Sequence, residues 1–294
     1  MKTVIVGVGL IGGSMAIDLK KAGIATRVTG VEINDEHAER ALKLGLVDEI
    51  APLESAVAGA ELVITAIPVN AIRSVLVIIL NNINDNAVVV DTGSTKSMIC
   101  KAIETHPRRA QFVAAHPIAG TENSGPDAAF AGLFIHKTNI ICEAEKSSAK
   151  ARETAERIFE ALQMRTIFME PVEHDKHVAY VSHLSHVSSF LLGQTVLDIE
   201  KDEKNIFNLA GSGFASTVRL AKSSPEMWAP IFEQNAEYLS QALLEYIMHL
   251  QRFQYHLMKR DVAELYRIMK DANRIREVLD GIEHKQKPKQ LIEK

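Results

Sequence analysis

Two runs of residues carry the chemistry that this sequence suggests. The first is Gly7-Val8-Gly9-Leu10-Ile11-Gly12; the second is His116-Pro117-Ile118-Ala119-Gly120-Thr121-Glu122-Asn123-Ser124-Gly125, about a hundred residues later. The glycines are spaced to hold a dinucleotide. Gly7 permits a tight turn, Gly9 lets backbone approach a pyrophosphate, and Gly12 lets a helix pack closely on a strand. An imidazole at His116 has the right acidity to exchange a proton with a substrate hydroxyl near neutral pH. Glu32 stands about twenty residues past Gly12. A carboxylate there accepts hydrogen bonds from ribose hydroxyls and repels a 2′-phosphate. Ile33-Asn34-Asp35 follow and supply no arginine, so NAD is expected rather than NADP.

Elements must place these groups. Lys2 to Val6 reads as a buried parallel strand, Ser14 to Ala22 as a helix, and Arg27 to Val31 as a second strand ending at Glu32. A glycine run alone could be a mere turn; strand, turn, helix and acid in register make it a nucleotide fingerprint. Further strands are expected at Leu62 to Ile67, Ala87 to Asp91, Gln111 to Ala115, Thr138 to Cys142 and Arg165 to Met169, with a helix at Ser148 to Leu162. This alternation specifies an α/β fold: a Rossmann-type, doubly wound, mostly parallel sheet. After Pro171 no strand pattern remains. Ser224-Pro225-Glu226 starts a helix, apolar residues recur from Trp228 to Leu250, and Asp261 to Leu279 reads as one long helix. The expected organisation is a Rossmann domain over 1–169, an all-α substrate and dimerisation domain over 170–280, and a basic tail over 281–294.

Ligands of such sheets bind outside the carboxyl ends of the strands. Ile67-Pro68, Gly93-Ser94 and His116 fall at those ends. The cofactor contacts expected are Gly7, Gly9, Leu10, Ile11, Gly12, Glu32, Ile67 and Gly93. Ser94 could act on substrate or simply cap the next helix. His116 could be a base or a loop histidine satisfied by backbone. His183 and His186 are one turn apart on one helix face. Arg219 lies in the apolar stretch Val218-Arg219-Leu220-Ala221, either snorkelling to water or aimed at a carboxylate. Glu173, His174, His177, His183 and His186 match no standard zinc spacing, so no metal is expected.

Composition narrows the class. The chain has 294 residues, enough for about two domains, and 47% hydrophobic residues, enough for sizeable cores. A net charge of −4 gives no case for nucleic acid or an anionic membrane. Cys100 and Cys142 are isolated, so a reducing, cytoplasmic compartment without disulfides is expected. The chain begins on a core strand, and no signal peptide or membrane span is expected.

The sequence resembles the prephenate dehydrogenase family and its arogenate-using relatives. The resemblance rests on Gly7 to Gly12, Asp91-Thr92-Gly93-Ser94-Thr95-Lys96, His116 to Gly125, Val181-Ser182-His183-Leu184-Ser185-His186, Gly211 to Arg219, and Lys222 to Trp228. It spans nearly the whole chain. It implies oxidative decarboxylation of prephenate to 4-hydroxyphenylpyruvate with hydride transfer to NAD⁺, and a homodimer formed through the helical domain. It makes His116 the catalytic histidine on the ring hydroxyl and Ser94 the serine that helps orient both that hydroxyl and the histidine. Arg219 becomes the ligand of a substrate carboxylate, His186 lines the pocket, and Thr121 and Glu122 stand at its mouth. Ser216 departs from members that carry an acid there, able to pair with the arginine. Two alternatives remain at this point. One is an arogenate dehydrogenase, the other an inactive NAD-sensing regulator, which predicts a spoiled His116, Ser94 or Arg219.

Overall fold

A computed structural model describes residues 1–203 and 205–286. Its centre is one eight-stranded sheet of order β3-β2-β1-β4-β5-β6-β7-β8. The strands are β1 (Lys2–Val6), β2 (Arg27–Val31), β3 (Glu49–Ile50), β4 (Leu62–Thr65), β5 (Val88–Asp91), β6 (Phe112–Pro117), β7 (Thr138–Cys142) and β8 (Arg165–Met169). All neighbours run parallel except β6 and β7, which are antiparallel. The sheet reverses direction of growth at β1, where β2 lies on one side and β4 on the other.

Strand periodicity sorts the core into two layers. Ile5, Ile64, Val90, Val113 and Ala115 face one cluster, joined by α1 (Leu10–Lys21), by Ala41 of α2 (Asp35–Lys43) and by α6 (Ala149–Ala161). Val4, Val6, Val63, Val89, Phe112 and Ala114 face the other. There α3 (Leu53–Ala58), α4 (Val69–Asn82) and α5 (Ser97–Ala102) cover the sheet. Burying each of the valine, isoleucine and phenylalanine side chains contributes about 1.5–3 kcal/mol, and each alanine less.

Beyond β8 every regular element among the described residues is helical: α7 (Pro171–Val178), a π-helical turn (Ala179–His183), α8 (Leu184–Glu200), α9 (Ser212–Thr217), α10 (Pro225–Gln234), α11 (Ala236–Met258), α12 (Val262–Ala272) and α13 (Ile275–Gln286), with short 3₁₀ turns between some of them. Trp228 and Ile231 of α10 join the cluster of Val69, Ile72 and Leu76 on α4. Met1–Ala236 is one compact unit, and the helices from Glu237 onward form a second. No helix among the described residues is long and apolar enough to cross a membrane.

Several boundaries differ from expectation. Helix α1 starts at Leu10 rather than Ser14, with Gly9 as its N-cap. Glycine lowers helix propensity, so Gly12 and Gly13 mask the first turn. They are glycine for packing: a Cβ at Gly12 would collide with Gly7 O, and one at Gly13 would lie 2.8 Å from Ala129 Cβ. Strand β4 ends two residues early, at Thr65, and β6 runs on through His116 to Pro117. The Trp228 to Leu250 seam is broken at Asn235, which leaves helical geometry with ψ at 24°. Asp261 caps as expected, its side chain accepting from Glu264 N, but the long helix breaks at Asn273-Arg274. Helix α13 continues through Gln286 into the expected tail; the rest of that tail lies outside the described residues.

Candidate active site

Four adjacent parallel strands, β1, β4, β5 and β6, bring their carboxyl ends to one edge of the sheet. Gly7 follows β1, Ile67 lies just past β4, Gly93 and Ser94 lie just past β5, and His116 is the penultimate residue of β6. Neighbouring strands lie about 4.8 Å apart, so β1 and β6 are separated by about 14 Å.

The glycine turn fits a dinucleotide. Gly7 has φ +91°, and a Cβ there would collide with Ala66 O and press on Ile67 Cγ2 at 2.7 Å. Above Gly9 the space is open; a Cβ there would meet only Gly125 N, at 3.9 Å. Leu10 and Ile11 form the first turn of α1, whose N–H groups are free to meet an anion. Glu32 closes the far side. One carboxylate oxygen accepts from Val8 N at 3.1 Å, the other from Ile33 N at 3.0 Å and Asn34 N at 3.1 Å. Gly93 is buried, and a Cβ there would meet Ile72 Cδ1 at 2.8 Å.

His116 is buried at the end of β6. Its Nδ1 lies 2.8 Å from His174 Nε2, and His174 Nδ1 lies 2.8 Å from Asp175 Oδ1. Asp175 also accepts from Lys96 N at 2.8 Å and Ser97 N at 2.9 Å. Beneath the histidine, Lys96 pairs with Asp91, both fully buried, and Nζ donates to Ala115 O at 2.7 Å. Burial holds the His116 pKa well below the ordinary histidine value, and His174, Lys96 and His183 push it the same way. The ring is therefore neutral at physiological pH.

The mouth is built from the β6–β7 connection and the helices after α8. Arg219 Nη1 donates to Glu122 Oε2 at 2.6 Å. The pair forms without an acid at 216; Ser216 Oγ donates instead to Gly213 O at 2.9 Å. Glu122 is held below the usual carboxylate range by its own backbone N–H and by Arg219. Thr121 Oγ1 accepts from Asn123 N. The same connection is tied to α1 and α2: Phe130 N donates to Ser14 Oγ at 3.0 Å, Gly132 N to Asp18, and Arg40 Nε to Asp127 at 2.7 Å. His186 stacks on Trp228 with ring centroids 3.5 Å apart, and its Nδ1 lies 2.9 Å from Ser182 O. Burial lowers its pKa, and the Arg219 charge lowers it further. His183 is edge-on to the same indole; burial pushes its pKa down to about 4.

His116, Glu122, Arg219, His183 and His186 thus belong to one compact unit, as do the glycine turn and Glu32. Ser94 is half-buried after β5 and does not cap the next helix, whose N-cap is Lys96. His116 Nδ1 is met by His174. Three residues here escaped the sequence reading. His174 enters the sequence pattern only among the candidate metal ligands, Asp175 not at all, and Asn235 falls inside an apparent helix. Asn235 Nδ2 donates to Asp175 O at 2.8 Å and lies 3.0 Å from His183 Nδ1. The adjacent His-Asp pair at the start of the helix opened by Pro171 was the available signal.

A doubly wound sheet with a nucleotide cradle and a neutral histidine on the same edge is the architecture of a nucleotide-dependent dehydrogenase. Comparison with known proteins narrows the class. Residues 15–168 match the family model for the nucleotide-binding domain of prephenate dehydrogenase, and residues 170–271 match that for its dimerization domain. The chain is 31% identical over 286 residues to the prephenate dehydrogenase of Bacillus subtilis, covering 96% of this chain and 76% of that protein. The crystal structure of prephenate dehydrogenase from A. aeolicus, in complex with hydroxyphenyl propionate and NAD⁺, is 30% identical with a TM-score of 0.86, covering 95% of this chain and 98% of that one. Synechocystis arogenate dehydrogenase is 28% identical with a TM-score of 0.74, covering 95% of this chain and 100% of that one. The chain belongs to the prephenate dehydrogenase family.

Proposed function

We propose that this enzyme oxidatively decarboxylates prephenate to 4-hydroxyphenylpyruvate, using NAD⁺. The observation that carries the reading is His116: a buried, neutral imidazole three strands from the glycine turn, on the edge where ligands of such sheets bind. The A. aeolicus relative binds NAD⁺, and Glu32 beside Val8 is placed to favour ribose hydroxyls over a 2′-phosphate. Prephenate is preferred over arogenate because the B. subtilis and A. aeolicus relatives, at 31% and 30% identity, are prephenate dehydrogenases.

NAD⁺, when bound over Gly9, Leu10, Ile11 and Gly12 and along Ile67 and Gly93, supplies the hydride acceptor. The chain's own residues do the rest. His116 takes the proton from the ring hydroxyl as carbonyl character develops at that carbon; such assistance contributes about a hundred- to ten-thousand-fold. Ser94 orients the hydroxyl. Carbon dioxide leaves from the quaternary carbon across the ring, and the ring becomes aromatic. A cation on the departing carboxylate would oppose its loss, so Arg219 holds the carboxylate of the pyruvyl side chain. His186 lines the pocket, with Thr121 and Glu122 at its entrance.

The domain division is proposed as 1–169 for the nucleotide and 170–280 for substrate and dimerisation. The homodimer forms through the helical region, whose Leu244, Met248, Leu257, Met258, Val262 and Tyr266 are more than half exposed. Cys100 and Cys142 are buried and free, in keeping with a cytoplasmic location. The test is a set of parallel steady-state assays of prephenate and arogenate, each with NAD⁺ and NADP⁺. Prephenate with NAD⁺ should have the highest kcat/KM. A higher value for arogenate would replace the proposed substrate, and turnover of neither would overturn the reading.

A further inference from the structure

We infer that His174 is a positioning residue: it fixes the ring tautomer of His116 so that Nε2 presents a lone pair to substrate, and Asp175 fixes His174 in turn. The inference rests on the reading of His116 as the proton acceptor.

The chain of donors and acceptors leaves one assignment. Asp175 Oδ1 accepts from Lys96 N and Oδ2 from Ser97 N. Burial raises its pKa, yet hydrogen bonds from His174, Ser97 and Lys96 bring it below the ordinary value, so it is an ionised, acceptor-only group. His174 Nδ1, 2.8 Å away, must then carry the proton. His174 is itself fully buried, and that burial keeps its ring neutral despite the carboxylate. A neutral imidazole with a proton on Nδ1 has a lone pair on Nε2. His116 Nδ1, 2.8 Å from that atom, is therefore the donor, and His116 Nε2 is left unprotonated. The ring that receives the substrate proton is thus set before substrate arrives.

The relay also spans separate parts of the unit. Asp175 and His174 lie on α7, His116 lies near the end of β6, and Lys96 and Ser97 follow β5. Asn235 clamps Asp175 from the end of α10 through its backbone oxygen. The ionisable groups acting on His116 are His174, Lys96 and His183; those acting on His174 include Asp175, Lys96 and Asp91. Lys96 opposes protonation of both rings, so the relay stays neutral except in acid.

The test begins with the intact parent protein. Long-range ¹H–¹⁵N NMR of the histidine rings reads the tautomer directly, with His116 assigned by the signals lost in His116→Asn. Nδ1 should be protonated and Nε2 bare. A proton on Nε2 overturns the inference whatever the substrate proves to be, so its failure is separate from that of the proposed activity. Kinetics give the second reading. His174→Leu removes the acceptor and should lower kcat by roughly tenfold to a hundredfold, the range lost when the hydrogen-bond partner that orients a metal-bound histidine is removed. KM for prephenate and for NAD⁺ should change little. His174→Gln places an amide oxygen near the former Nε2 and should recover most of that loss. A folded His174→Leu enzyme with parental kcat, or a His174→Gln enzyme no faster than the leucine variant, also overturns it. Should the leucine variant fail to fold, the parent spectrum still decides.

Discussion

Arg219→Gln and Glu122→Gln are expected to move KM for prephenate in opposite directions. In the structure one guanidinium nitrogen of Arg219 is bound to Glu122 at 2.6 Å. A guanidinium has five N–H donors, so a fork remains for a substrate carboxylate. A hydrogen bond to a charged group contributes about 1.5–3 kcal/mol, which is a factor of about 10 to 150. Arg219 is 51% exposed, and solvent screening favours the lower part of that range. The glutamine variant should therefore raise KM by about 10- to 30-fold, with kcat changed much less. Glu122→Gln removes a carboxylate that competes for the same guanidinium and repels an anionic substrate. Its KM should fall by about two- to fivefold, the scale of an exposed ion pair. Initial rates against prephenate at saturating NAD⁺ measure both, and both effects should shrink as salt is raised. Movement of KM in the same direction in both variants would refute the reasoning. So would an Arg219→Gln enzyme that loses kcat while keeping its KM.

Glu32→Gln should narrow the NAD⁺ over NADP⁺ preference in kcat/KM, because repulsion of a 2′-phosphate is lost; an unchanged ratio would count against Glu32 as the discriminator. Stability should fall in acid through the buried histidines. His183 has a folded pKa of about 4 against 6.5 unfolded, so the unfolded chain binds more protons between those values and stability is lost as pH falls from about 6.5 to 4. The contribution is about 3 kcal/mol, His116 and His174 act in the same direction, and denaturant melts across that window measure it. Light scattering at micromolar concentration should give twice the 32.4 kDa chain mass; a monomeric mass would contradict the dimer.

Much of the fold can be read along the sequence because its signals are local. β-branched runs mark β1, β4, β5 and β7, Ser224 caps the helix it is expected to open, and the helix expected from Ser148 begins one residue later with Ser148 as its cap. The glycines, Glu32 and His116 are legible through spacing within one strand–turn–helix unit or one strand end. What escaped is non-local. His174 meets His116 across 58 positions, and no spacing rule announces such a contact. Asn235 looked like one more helical residue because its reason for breaking the helix is its hold on Asp175 and His183. The pairing of Arg219 with Glu122 spans 97 positions and needs no help from position 216.

The central claim is that His116 accepts the proton as hydride leaves the same carbon. Single-turnover mixing of enzyme and NAD⁺ with saturating prephenate, followed by NADH absorbance, tests it most directly. His116→Asn keeps size and some hydrogen bonding but removes the base. The hydride-transfer rate should fall by at least about a hundredfold, with NAD⁺ affinity unchanged. The parent rate should fall only well below the ordinary histidine pKa, since burial depresses that of His116, and this acid limb should be absent in the variant. A His116→Asn enzyme that transfers hydride as fast as the parent would contradict the account.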